Sequence, residues 1–251
     1  KNYVTDVQPS GSVWFFDPTA PRTYGAPVEI KLGSRFSSVS PHQIAAMDID
    51  RDGQLDLVIG LSNTRTLPVS FAGALAYWKG SGAGWQFSML NPAALSTIIL
   101  DVLKVSPLAF VPWDGVDGKK PGGLAVAVSK TANLIDYTGE LWMFSNNGSG
   151  TLTVTSQVQT GGMALQLLPG DFNGDGRQDL LCTLPVGNDR KTALRRLALF
   201  TAADTAAAPT TLDLPAPLGL ATTIDLFADR RDDLVLYAAD TAGKRLAIMP
   251  T

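Results

Sequence analysis

Short apolar runs recur along the chain, separated by stretches rich in Gly, Asn, Asp and Pro. No window of 12 residues sustains a 3.6-residue apolar period, so no helix is predicted. Five runs align without gaps: 13–16, 75–78, 141–144, 197–200 and 246–249, at spacings of 62, 66, 56 and 49. Each is bounded by turn formers and reads as a buried strand. Around them a unit can be written. Strand one is 43–47 or 164–168, and an acidic loop follows it. Strand two is 55–61, 124–128, 180–184 or 234–238. The aligned run is strand three, and 85–90, 152–158 or 210–214 is strand four. Four short antiparallel strands every 50–65 residues predict an all-β chain of propeller blades. One such sheet cannot bury both faces alone, and stacking around an axis covers them. A twisted sandwich of duplicated units is the alternative arrangement.

The pattern predicts a single domain over 1–251. It divides into a partial blade (1–40), three blades (41–100, 101–160 and 161–217) and a second partial blade (218–251). At the start, 1–7 reads as a strand two, 13–16 as a strand three and 28–32 as a strand four. About five blades, two of them incomplete, make either an irregular ring or part of a larger propeller. The chain opens at Lys1 rather than Met, as expected of a mature, trimmed or excised piece of something longer.

The acidic loops carry the candidate chemistry. Asp48, Asp50, Asp52, Gly53, Gln54 and Asp56 occupy positions one, three, five, six, seven and nine of the first loop. Asp171, Asn173, Asp175, Gly176, Arg177 and Asp179 occupy the same positions 123 residues later. Calcium takes six to eight oxygens in a flexible cage. Alternate residues of a tight loop can supply them: side chains at one, three, five and nine, and the backbone carbonyl of Gln54 or Arg177 at seven. A sharp turn with positive φ suits Gly at six. Four carboxylates so close would repel one another without a cation. An EF-hand would need Glu at position twelve, where Ile59 and Cys182 stand. Two calcium sites in strand-flanked loops are therefore predicted, and magnesium suits so dehydrated a cage less well. Two worn copies should bind none. One, at Asp114, carries Lys119 and Lys120. The other, at Asp225, has Phe227 at position three, Arg230 at six and Arg231 at seven. The Arg231 guanidinium is expected to replace the ion beside Asp229 and Asp233.

Composition narrows the classes. The 251 residues are 45% hydrophobic and 17% charged, enough for a core and too few charges for a disordered chain. The net charge of −3 and the lack of a basic run argue against a nucleic-acid partner. Adding the four charges of two calcium ions to −3 would leave +1. No run of about 18 apolar residues predicts a membrane-spanning helix. Cys182 is alone, so no internal disulfide forms, and it is expected to be a buried, inert thiol. His42, also alone, reads as a structural residue near the start of strand one. No nucleophile elbow or phosphate loop occurs, so no enzyme is expected.

The two intact loops, the strand ending at Gly60 and the Gly139–Leu152 hairpin closely resemble FG-GAP/VCBS repeats, the blades of the integrin-α-like β-propeller. The resemblance covers essentially the whole chain. It departs at Asp114 and Asp225, and Gly25-Ala26-Pro27 is the main trace of the Gly-Ala-Pro signature. It implies calcium that stiffens a hairpin rather than catalysing. It also implies secreted or cell-surface work: adhesion, glycan binding as in propeller lectins, or a scaffold module, as in larger secreted enzymes and toxin complexes. A protein partner or glycan is expected on the face opposite the calcium loops, where loops on a rigid scaffold tend to bind. Arg65, Trp85, Trp113, Tyr137, Asn188 and Arg190 are the candidate contacts there. Trp14, Trp78 and Trp142 fall in strand three and are expected in the core. The unlike loops from one unit to the next weigh against a lectin and for a scaffold.

Overall fold

The computed structural model describes residues 12–15, 18–20, 23–26, 28–31, 39–63, 73–79, 86–90, 105–113, 123–131, 137–148, 152–185, 194–201, 208–240 and 243–250. All regular structure there is β. Strands β1 (Ser12–Phe15) and β4 (Val28–Lys31) pair with each other, as do β2 (Pro18–Ala20) and β3 (Thr23–Tyr24). A four-stranded antiparallel sheet contains β5 (Val39–Met47), β6 (Asp56–Asn63), β7 (Gly73–Lys79) and β8 (Gln86–Leu90) in chain order. A second contains β9 (Val105–Trp113), β10 (Gly123–Thr131), β11 (Tyr137–Asn146) and β12 (Leu152–Gln159). The third sheet has six strands: β13 (Gln166–Gly170), β14 (Asp179–Pro185), β15 (Leu194–Phe200), β16 (Thr210–Ile224), β17 (Asp233–Asp240) and β18 (Gly243–Met249). This is a propeller-type stack of antiparallel meanders, and the sheets stay open. The segment 1–7 lies outside the described residues.

The stack explains why the central strands read as unbroken apolar runs. In the second sheet, Ala125, Ala127, Leu141 and Met143 join Leu180, Cys182, Leu184 and Phe200 of the third in one cluster. The alternate residues Leu124, Val126, Trp142 and Phe144 join Met47 and Val58 of the first sheet, and Ile49 of the loop between β5 and β6, in another. A strand buried on both faces has no polar alternation to show. On the third sheet, Leu181, Leu197, Leu234 and Leu236 form a further cluster. Burying such side chains stabilises by about 1.5–3 kcal/mol each. Across the first interface Gln43 behaves as an extra peptide unit: Phe110 N–H donates to its Oε1 at 3.0 Å, and its Nε2 donates to Phe110 O at 2.5 Å.

Three features differ from the sequence expectation. First, strand β9 lies in a stretch holding Pro107 and Pro112, which disguise it. It stands at the edge of its sheet, where a missing N–H costs no ladder bond, and a register shift accompanies Pro107. Second, His42 lies inside β5, at the register shift between Pro41 and Gln43, rather than before the strand. Third, 210–214 does not end a unit. Strand β16 runs on for 15 residues, pairing with β15 through 210–213 and with β17 through 220–224; Leu218 touches both ladders. Pro215 and Pro217, which cannot donate, lie where the partner changes.

Candidate metal centre

Each acidic loop joins an inner strand to the next strand of its sheet, 48–55 after β5 and 171–178 after β13. In the first, Asp48 gathers the turn: its Oδ1 accepts Asp52 N–H at 3.1 Å and its Oδ2 accepts Gly53 N–H at 2.9 Å. Asp52 Oδ1 accepts Gln54 N–H at 2.9 Å. Asp56 is fully buried, and its Oδ2 accepts Ile49 N–H at 2.9 Å, closing the loop. The second loop repeats this. Asp171 Oδ1 accepts Gly174 and Asp175 N–H at 2.7 and 3.1 Å, and its Oδ2 accepts Gly176 N–H at 2.8 Å. Asp175 Oδ1 accepts Arg177 N–H at 2.8 Å, and buried Asp179 Oδ2 accepts Phe172 N–H at 3.1 Å. Gly53 and Gly176 have φ of 86° and 78°, and a Cβ on either would meet nothing within 4 Å. Backbone handedness, not crowding, favours glycine there.

Asp48, Asp50 and Asp56 each bring one carboxylate oxygen into a group whose atoms lie within 4.8 Å of one another. Clustered hard oxygens suit a divalent ion such as calcium, and the residues fit that group. Asp52 stands outside the trio and faces its own turn. In the second loop Asn173 Nδ2 donates to Asp175 Oδ2 at 3.2 Å, and Asn173 Oδ1 accepts Asp175 N–H at 2.9 Å. Both side chains there are exposed. Gln54 and Arg177 hold position seven through their N–H bonds to Asp52 and Asp175.

The loop at 225–233 follows the same template with other residues. Asp225 accepts Asp229 and Arg230 N–H, each at 3.1 Å; Asp229 accepts Arg231 N–H at 3.0 Å; Asp233 Oδ2 accepts Leu226 and Phe227 N–H at 2.8 and 3.3 Å. Ala228 and Arg230 take φ of 55° and 72°, where Gly174 and Gly176 stand in the second loop. Of the two carboxylates expected beside Arg231, the structure speaks to one oxygen of Asp233. Asp233 Oδ1, buried, has no hydrogen-bond partner, so the guanidinium does not bond to it. The Arg231 side chain instead lies along Gly174 of the previous loop, its Nε 3.0 Å from where a Cβ would stand. The loop at Asp114 lies outside the described residues.

The candidate contacts on the opposite rim fare differently. Arg65, Trp85, Asn188 and Arg190 lie outside the described residues. Tyr137, expected in a loop, opens strand β11 opposite Thr131, and its side chain lies outside the description. Trp113 is corrected: it ends β9, is 3% exposed and packs in the cluster between the second and third sheets, so it is a core residue. Trp142 is buried as expected, and its Nε1 donates to Glu140 Oε2 at 2.6 Å. Cys182 is buried, which pushes its thiol pKa up.

Residues 126–182 match the FG-GAP-like repeat. That span runs from β10 through the 171–179 loop into β14. No curated protein sequence matches it. Among solved structures it is similar to the Dos1 propeller, with a TM-score of 0.56 and 10% identity over 95% of this chain. The chain spans 51% of that propeller's length. A weaker likeness, with a TM-score of 0.46 and 12% identity, is to a GH43 β-1,3-galactosidase with galactodeoxynojirimycin, over 85% of this chain and 72% of that one. No helix among the described residues is long and apolar enough to cross a membrane.

Proposed function

We propose that this chain is a non-catalytic propeller module, stiffened by two calcium ions, that serves as a binding or scaffold unit of a secreted or cell-surface protein. The observation that carries the reading is the convergence of Asp48, Asp50 and Asp56 in a loop whose template recurs at Asp171. Asp48, Asp50 and Asp56 would hold the first ion, with Asp52 and the Gln54 carbonyl completing its cage. Asp171, Asn173, Asp175 and Asp179, with the Arg177 carbonyl, would hold the second. The bound ion offsets the mutual repulsion of these carboxylates and fixes the hairpin. The loop carboxylates already accept backbone N–H groups, which suits a structural task better than proton transfer.

The rim opposite these loops is left to contact a partner. A protein partner is favoured over a glycan because Trp113, a candidate for stacking on a sugar ring, is a core residue. The last sheet also supports a scaffold role: Leu246 and Ile248 are exposed on the face they share with Val235 and Tyr237, while Leu234 and Leu236 on the other face are buried.

Metal counting by mass spectrometry, with thermal unfolding in calcium and in chelator, tests the proposal. Two ions per chain and a melting temperature several degrees lower in chelator are expected. At 100 times the dissociation constant each site contributes about 2.7 kcal/mol. A chain that binds no metal and melts identically in both conditions refutes the calcium reading.

A further inference from the structure

The first ligand of the second loop is gripped by the next repeat. Asp171 N–H donates to Asp232 Oδ2 at 2.8 Å, and Asp232 N–H donates to Asp171 O at 2.9 Å, although the residues are 61 positions apart. Asp232 directly precedes strand β17. Its side chain lies against Gly170, where an added Cβ would sit 3.0 Å from Asp232 Cβ. One step back, Thr223 Oγ1 donates to Pro169 O at 3.0 Å. The stretch from Pro169 to Asp171 is thus held from the β16–β17 side at three successive residues. The first loop is held differently: Asn146 Nδ2 of the next sheet donates to Asp48 O at 3.1 Å, and Arg51 Nη2 donates to Asn146 O at 2.7 Å.

We infer that Asp232 is a positioning residue for the second metal loop, so that cation binding at 171–179 and docking of the β17–β18 hairpin are coupled. The inference rests on the calcium reading above. The argument is geometric. Asp171 spends both carboxylate oxygens organising its own turn, so its backbone must be placed by something else. Asp232 supplies that placement by pinning both the N–H and the carbonyl. Outer partners of metal ligands are commonly worth 10–100-fold in affinity. Linkage runs both ways: what aids binding at the loop is in turn strengthened by binding.

The test is calorimetric calcium titration of the full chain carrying Asp48→Ala, which leaves the second loop as the site observed. Adding Asp232→Ala is expected to weaken calcium binding about tenfold. Asp232→Asn, whose amide oxygen still accepts the Asp171 N–H, should fall between, and it keeps the test alive if the alanine variant does not fold. In the converse background, Asp171→Ala, the dissociation constant of the first loop should not change with Asp232→Ala. Hydrogen exchange adds a readout that a merely structural role would not move: calcium should protect β17 amides in the Asp48→Ala protein and not after Asp232→Ala. Unchanged affinity in both Asp232 variants, with calcium still bound, overturns the inference and leaves the calcium reading intact. No calcium binding even to the unmodified chain overturns both.

Discussion

The loops at 171–179 and 225–233 have nearly the same backbone and differ in side chain at five of nine positions. In both, a first aspartate accepts the N–H groups of positions five and six, and a buried aspartate at nine caps the N–H of position two. Yet Asn173 and Gly176 of one are Phe227 and Arg230 of the other. The turn therefore needs its two anchoring carboxylates far more than its glycine or its inner oxygens. Phe227 is 58% exposed, so the side chain at position three has swung to solvent without unravelling the turn. What separates a candidate cation loop from a plain turn is the donor set laid on a common scaffold.

The sharpest way to break this comparison is at the anchors. Asp179→Ala and Asp233→Ala should each destabilise the chelated protein by about 2–3 kcal/mol, because each strands backbone N–H groups at the loop closure. Calcium should then widen the deficit for Asp179→Ala and leave that of Asp233→Ala alone. Urea unfolding with and without calcium reads both, and equal calcium responses would defeat the distinction. The next largest effect should come from converting one loop into the other. Phe227→Asp with Arg230→Gly supplies the missing donor and the turn, and metal counting should rise from two ions to three per chain. If it stays at two, the template alone does not make a site.

Smaller effects probe handedness. Gly176→Ala should cost about 1 kcal/mol through its positive φ, since space is open around it, and Arg230→Gly should gain a similar amount. Thermal melts in chelator would check the opposite signs; two losses would mean that contacts of Arg230 outweigh its strain. The smallest effect belongs to an exposed carboxylate. Arg196 Nε and Nη2 donate to Asp213 Oδ1 and Oδ2 at 2.6 and 3.1 Å, which holds the Asp213 carboxyl below the usual carboxylate range. A lowered carboxylate adds stability above its unfolded value, and that part is lost as pH falls through the folded one. The pair is solvent-screened, so Asp213→Asn should lower the melting temperature only slightly at pH 7, and by less as the pH falls below the usual carboxylate range. A large deficit at neutral pH would show that the pair does more than a surface pair does.

Much of this fold was legible because it is locally encoded. Strand-three runs such as 141–144 and 197–200 sit inside β11 and β15, and the loop spacing led directly to the Asp48–Asp50–Asp56 group. Strand β9 was hidden by prolines that only an edge position makes harmless. Trp113 was misread because an aromatic beside a Gly- and Asp-rich stretch looks exposed until the neighbouring sheet is in place. Arg51, Asn146 and Asp232 carry no mark in the sequence of the contacts they make. Arg51 Nη2 reaches Asn146 O at 2.7 Å across 95 residues, and no spacing rule marks such a pair.

By itself, the sequence determined the strand period, the loop template and the oxygen donors each loop offers. These depend on side-chain alternation, turn chemistry and charge within about ten neighbouring residues. The tertiary structure alone decided which faces meet, which tryptophan is core and which residue holds Asp171 in place. Those outcomes depend on contacts between sheets tens of residues apart, whose distances are set by packing and leave no periodic trace along the chain.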